Sequence, residues 1–178
     1  MSANTVVQDS AKTHLRDFQA RLSDRLKSAT SADVAARLGL MIGNDRYLVD
    51  LAEAGEIVPI PDAMTQVPLT RDWLRGLVNL RGVLFSVSDL TRFEGGPATP
   101  LAKESRLLAV ASRLNMNAAI LVTRMLGLHN VSSMKQQQAG DAATPWRVRQ
   151  LADGDGRLWT ELSLATLVAD ERFLAVNR

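Results

Sequence analysis

The stretch Leu74-Arg75-Gly76-Leu77-Val78-Asn79-Leu80-Arg81-Gly82-Val83-Leu84-Phe85-Ser86-Val87-Ser88-Asp89-Leu90 decides the fold. Two strand-like runs, 77–80 and 83–88, flank the dipeptide Arg81-Gly82. A two-residue connection ending in glycine suits a tight β-hairpin, because the turns that match strand twist require positive φ. Phe85 and Val87 alternate with Ser86 and Ser88, so one face of the second strand is expected to be wet. Before the hairpin, Thr70 reads as the cap of a one-turn helix over 71–75 that Gly76 stops.

On the N-terminal side, Arg37-Leu38-Gly39-Leu40-Met41-Ile42 and Tyr47-Leu48-Val49-Asp50-Leu51 bracket the turn residues Gly43-Asn44-Asp45, which gives a second hairpin. Glu56-Ile57-Val58-Pro59-Ile60-Pro61 reads as a third strand whose prolines place it at an edge or strand end. On the C-terminal side, Glu94-Gly95-Gly96-Pro97-Ala98-Thr99-Pro100 is the densest Gly/Pro cluster and reads as the internal boundary between two strand-rich halves. Segments 107–111 and 116–122 form a hairpin around Arg113-Leu114-Asn115, and 126–131 adds a strand. The polar, aperiodic 135–141 reads as an exposed loop. Segments 146–149 and 158–162 pair around Asp153-Gly154-Asp155-Gly156, and 163–173 returns to helical spacing.

Leu15, Phe18, Leu22 and Leu26 recur every three or four positions, and Asp17 precedes Arg21 by one turn, the pattern of an amphipathic helix. The small polar run 28–32 reads as a hinge, so 1–34 is a helical extension and 35–178 the strand-rich domain. Many short strands joined by tight turns, with a helix at each end, put the chain in the mainly β class, built as barrels or sandwiches.

The chain has 178 residues, 46% apolar and 22% charged, enough to bury a substantial core. With 21 basic and 19 acidic residues, its charge forms no stripe of the kind that draws phosphate backbones, which argues against nucleic acid as a partner. It contains no cysteine, so disulfides, thiolate metal sites and thiol nucleophiles are excluded together, and a cytoplasmic location is expected. No apolar run approaches the roughly 20 residues of a bilayer span, and MSANTVVQDSAKTH is no secretory leader; no direct membrane insertion is expected.

Catalytic and metal chemistry finds little purchase. His14 and His129 are the only imidazoles, on unrelated segments without a Ser-Asp pattern to orient either. The acidic turn at 153–156 lacks the later oxygen ligands and closing glutamate of a calcium loop, and there is no phosphate-binding G-x-x-x-x-G-K-[ST]. The expectation is no catalytic residue, no metal and no cofactor. Asn130-Val131-Ser132 fits a glycosylation acceptor, a pattern short enough to arise by chance.

The core G-x-x-N-L-R-G, here Gly76 to Gly82, followed by a strand and Asp89-Leu90, resembles the CheW-like domain of bacterial chemosensory coupling proteins. The hairpin around Tyr47, the run from Gly55 to Val58 and the run from Ala119 to Val122 fall where that family places strands, so the resemblance spans about 35–178. Within the family the chain is most similar to PilI-type coupling proteins of type IV pilus twitching motility. The resemblance implies two intertwined five-stranded SH3-like barrels, and an adaptor that couples the cytoplasmic tip of a methyl-accepting chemoreceptor to a CheA-like histidine kinase, associated with receptor arrays. Ser86 and Ser88 stand where the family often has proline and valine, which implies a wetter strand face and altered partner preference.

The resemblance also implies candidate sites. Arg81 matches the arginine that helps fix the kinase contact; the residues alone equally allow it to pair with Asp89 or a turn carbonyl. Glu56 falls at the acidic kinase-facing position, beside the reading of a solvated strand-start charge. Asn79 and Gly82 shape the turn more than they touch a partner. Leu121, Thr123, Arg124 and Met125 match the second-lobe contact region, with core packing the stronger reading for Leu121. The rival classes are a flagellar CheW-type coupling protein, a small hydrolase using His129 and an oligonucleotide-binding barrel; only 4% aromatic content speaks against the last.

Overall fold

The computed structural model describes residues 35–177; the amphipathic helix and hinge read within 1–34, and His14, lie outside the described residues. The strands are β1 (Ala36–Ile42), β2 (Asp45–Asp50), β3 (Ala54–Pro59), β4 (Leu74–Leu80), β5 (Val83–Ser88), β6 (Arg106–Val110), β7 (Ala118–Val122), β8 (Arg124–Asn130), β9 (Lys135–Ala139), β10 (Arg147–Ala152) and β11 (Leu158–Leu162). Among the described residues, short α-helices accompany them: α1 (Leu90–Phe93), α2 (Leu164–Ala169) and α3 (Glu171–Leu174).

The strands form a six-stranded sheet, in the order β8-β1-β2-β11-β10-β9, and a five-stranded sheet, β3-β6-β7-β5-β4. The second is one continuous stretch of chain inserted into the first. The Gly/Pro-rich 94–100 therefore does not divide the sheets: it lies within the inserted segment, between β5 and β6, and the crossings fall between β2 and β3 and between β7 and β8. Asp89 holds that stretch down. Its carboxylate, fully buried, accepts from Thr99 N at 2.8 Å, Thr99 Oγ1 at 2.7 Å and Arg75 at 3.3 Å, and caps α1 through Arg92 N.

Among the described residues there are three apolar clusters. Along β7 every residue is buried, and strand alternation sends Ala118, Ile120 and Val122 into a large core shared by both sheets. Ala119 and Leu121 point the other way, into the five-stranded sheet's own core with Val78, Val87 and Leu107. Leu48, Leu151 and Trp159 fill the six-stranded sheet. Each such large side chain contributes on the order of 1.5–3 kcal/mol by leaving water.

Five local expectations change. No helix forms over 71–75: Thr70 Oγ1 donates to Val67 O at 2.8 Å, and β4 begins at Leu74. Gly76 sits inside β4 at φ +137°, where a Cβ would stand 2.5 Å from Thr65 O; close approach of two backbones, not a helix stop, requires glycine there. Ser88 is buried and Ser86, on the same face of β5, half-buried, so that face is not wet along its length. Residues 135–139 are β9, not loop, which raises that sheet to six strands; an exposed edge strand bonded to β10 needs no apolar face, hence the absence of periodicity. The final helix is broken at Asp170, whose extended backbone ends α2 and whose carboxylate caps α3.

Candidate functional site

Arg81 and Gly82 both take positive φ, 54° and 88°, the requirement of the tight turn joining β4 to β5. Asn79 Oδ1 accepts from Gly82 N at 2.7 Å and locks the turn. Nothing lies within 4 Å of a Cβ placed on Gly82, so it serves conformation and not packing. The turn presents the Arg81 side chain at 82% exposure, and its Nη2 donates to Glu56 Oε1 at 2.6 Å.

That pair joins the turn beside one edge of the five-stranded sheet, β4, to the opposite edge, β3. The sheet therefore curls on itself, and the segment after β3 completes the closure: Thr65 and Leu77 exchange backbone hydrogen bonds at 2.9 and 2.8 Å. Four of the residues singled out from sequence, Arg81, Asn79, Gly82 and Glu56, are thus brought into one cluster. Asp89 is not Arg81's partner, being enclosed by Arg75 and Thr99. An exposed ion pair contributes only about 0–1 kcal/mol, so the clasp adds little to folding and opens readily. Its chain neighbours Ile57, Val83 and Leu84 are exposed, Leu84 at 59%, and make an apolar border that alternation arguments did not single out.

The second group separates. Leu121 is wholly enclosed in the five-stranded core, which removes it from any contact surface; its odd register along β7 points it inward. Thr123 Oγ1 accepts from Gly43 N at 2.9 Å and its N–H donates to Met41 O at 2.8 Å, tying the β7–β8 link to the β1–β2 turn. Met125 is half-buried against the shared core, and Arg124 is exposed over Met41. No hydrogen bond or ion pair among the described residues joins this group to Arg81.

His129 has its Nε2 3.2 Å from Leu126 O and its ring 4.3 Å from Trp159, a packing role without a carboxylate or hydroxyl to activate. In the acidic turn, Asp153 accepts from Trp159 Nε1, Arg157 N and Asp155 N, each at 2.9 Å. The Trp159 bond foremost holds this carboxyl below the usual range, so the turn is closed on itself. Among the described residues no cluster of candidate metal ligands occurs, and no helix is long and apolar enough to cross a membrane.

A family model described as the CheW-like domain matches residues 37–172. Protein PilI of Pseudomonas aeruginosa is 31% identical over 93 residues, 52% of this chain and 51% of that protein. Chemotaxis protein CheW of Helicobacter pylori is 32% identical over 96 residues, 54% of this chain and 58% of that one. The alignments thus span about half the length of the curated relatives. The crystal structure of scaffolding protein TtCheW from Thermoanaerobacter tengcongensis superposes with a TM-score of 0.61 at 20% identity, covering 73% of this chain and 89% of that one, which shows a common fold. With a curled five-stranded sheet inserted into a six-stranded one and a match running through nearly all of the described strands, the chain belongs to the CheW-like domain family.

Proposed function

We propose that this protein is a non-catalytic coupling scaffold that holds the cytoplasmic tip of a membrane chemoreceptor and a CheA-like histidine kinase in fixed relation, in an array controlling type IV pilus twitching motility. The observation that carries the reading is the Arg81–Glu56 clasp: two charges displayed by a locked turn, contributing little to stability, and bordered by exposed apolar side chains. A guanidinium fork that can leave one carboxylate for another suits a reversible protein contact. Asn79 and Gly82 act through turn shape, Arg81 and Glu56 through contact, and Thr123 and Met125 mark a separate surface for the receptor. The likeness to PilI favours the pilus system; the likeness to a chemotaxis CheW supports flagellar chemotaxis as the second reading. To transmit a signal the scaffold must favour one kinase state over the other, by about 1–3 kcal/mol.

Calorimetry of the full chain with the kinase tests this. Arg81→Ala is expected to weaken binding roughly tenfold with the melting temperature unchanged, since an exposed turn side chain leaves no cavity. The charge-exchanged pair Arg81→Glu with Glu56→Arg is expected to restore the clasp and the fold but not the affinity. Unchanged affinity in Arg81→Ala overturns the assignment.

A further inference from the structure

A cleft of about 790 Å³ lies on another part of the surface, and none of its lining residues belongs to the Arg81–Glu56 clasp. Its floor is aromatic: the Phe93 ring lies 5.2 Å from both Trp73 and Trp146, and Phe173 stacks on Trp73 at 5.4 Å. Its rim is cationic. Arg147 is neutralised by Glu94, Arg172 stands 4.8 Å over Trp146 and pairs with Asp170, and Arg92 pairs with Asp72 on a partly exposed surface. Arg71 has no carboxylate partner among the described residues; its Nε donates to the Asn177 carbonyl at 3.0 Å.

A second observation points the same way. Trp146 and Trp159 each donate their indole N–H to a carboxylate at 2.9 Å, whereas Trp73, only 6% exposed, has no protein acceptor among the described residues. Among the described residues no buried side-chain nitrogen or oxygen goes unpaired, so the Trp73 N–H reaches solvent, and the cleft is the opening that Trp73 borders. A donor open to solvent and a guanidinium without a carboxylate partner, lining one cleft, together suit an anionic acceptor. The aromatic floor calls for an apolar group next to it.

We propose that this cleft docks an acidic segment of a partner protein: a carboxylate accepts from Trp73 Nε1 and Arg71, and a neighbouring aliphatic side chain covers Phe93. The weak exposed Arg92–Asp72 pair leaves Arg92 free to exchange toward a second acidic residue. Being remote in its residues from the clasp, this site adds a contact to the scaffold whether or not the kinase assignment holds.

The test is a titration of the full, nitrogen-15-labelled chain with the capped peptide Glu-Glu-Leu-Glu-Glu, read at the three indole resonances. The Trp73 resonance is expected to move saturably while that of Trp159, engaged by Asp153, stays. Arg71→Gln is expected to weaken the peptide roughly fivefold, and Lys-Lys-Leu-Lys-Lys to leave Trp73 unmoved. The proposal is overturned if Trp73 does not move, if Arg71→Gln binds as well as the parent, or if inorganic phosphate at equal charge reproduces the shift, which would mark an adventitious anion site.

Discussion

Tyr47 is the only tyrosine of the chain, and it is buried with its hydroxyl accepting from Arg147 Nη2 at 2.9 Å. Burial foremost, then the nearby Glu94 carboxylate, pushes its phenol well above the ordinary range, while the same carboxylate holds the Arg147 guanidinium protonated. The unfolded phenol ionises near pH ~10, so this contribution to stability is complete below that pH and is lost as pH rises from there toward the folded value. Tyrosinate absorbance is expected to stay absent near pH ~10 and to appear together with loss of tertiary circular dichroism, a coupling that Tyr47→Phe removes. A smooth titration near pH ~10 in the folded protein would contradict it. At this scale sequence reading succeeds where the chemistry is local: Asn79, Arg81 and Gly82 announce their turn by type and spacing. It fails for Arg81's partner, because Glu56 becomes its neighbour only when the sheet curls, and for Leu121, whose direction depends on which core its strand face meets.

Among the elements, β4 shows how a glycine can be read correctly as special and wrongly as to why. Gly76 lies at the irregularity in the β4–β5 register, against the bridge of Thr65 to Leu77 that closes the sheet. Gly76→Ala combines a strained φ with a backbone clash and is expected to destabilise by about 2–3 kcal/mol, with faster amide exchange at Thr65 and Leu77. A loss under roughly 0.5 kcal/mol would mean that the closure is slack. The hairpins β1–β2, β4–β5, β6–β7 and β10–β11 are all visible in the sequence, since each is a run, a turn and a run. Strand β9 is invisible, because its backbone bonds to β10 leave no trace in a wholly exposed Lys-Gln-Gln-Gln-Ala.

At the scale of the whole molecule the two sheets share their largest core, to which β1, β2 and β11 contribute from one side and β6 and β7 from the other. Neither sheet can lose its packing without exposing the other's, so denaturation is expected as one transition. Leu121→Ala, in the five-stranded interior, is expected to cost about 2–5 kcal/mol and to move the midpoint seen at Trp159, in the six-stranded interior, by the same amount as the global one. An unmoved Trp159 midpoint would show independent lobes. The nesting behind this is what the Gly/Pro break at 94–100 conceals: composition marks a loop, whereas sheet membership is decided by pairings between distant strands, such as Val49 with Leu162. The same pairing imposes a schedule on the newborn chain. As the polypeptide leaves the ribosome, β2 emerges early with its apolar face bare and has to wait until β11 is translated, while β3 to β7 can assemble in the interval. A nascent chain stalled just short of β11 would present a paired inner sheet whose side of the common core lacks part of its cover, and an orphaned first hairpin, the form that chaperones and proteases would meet.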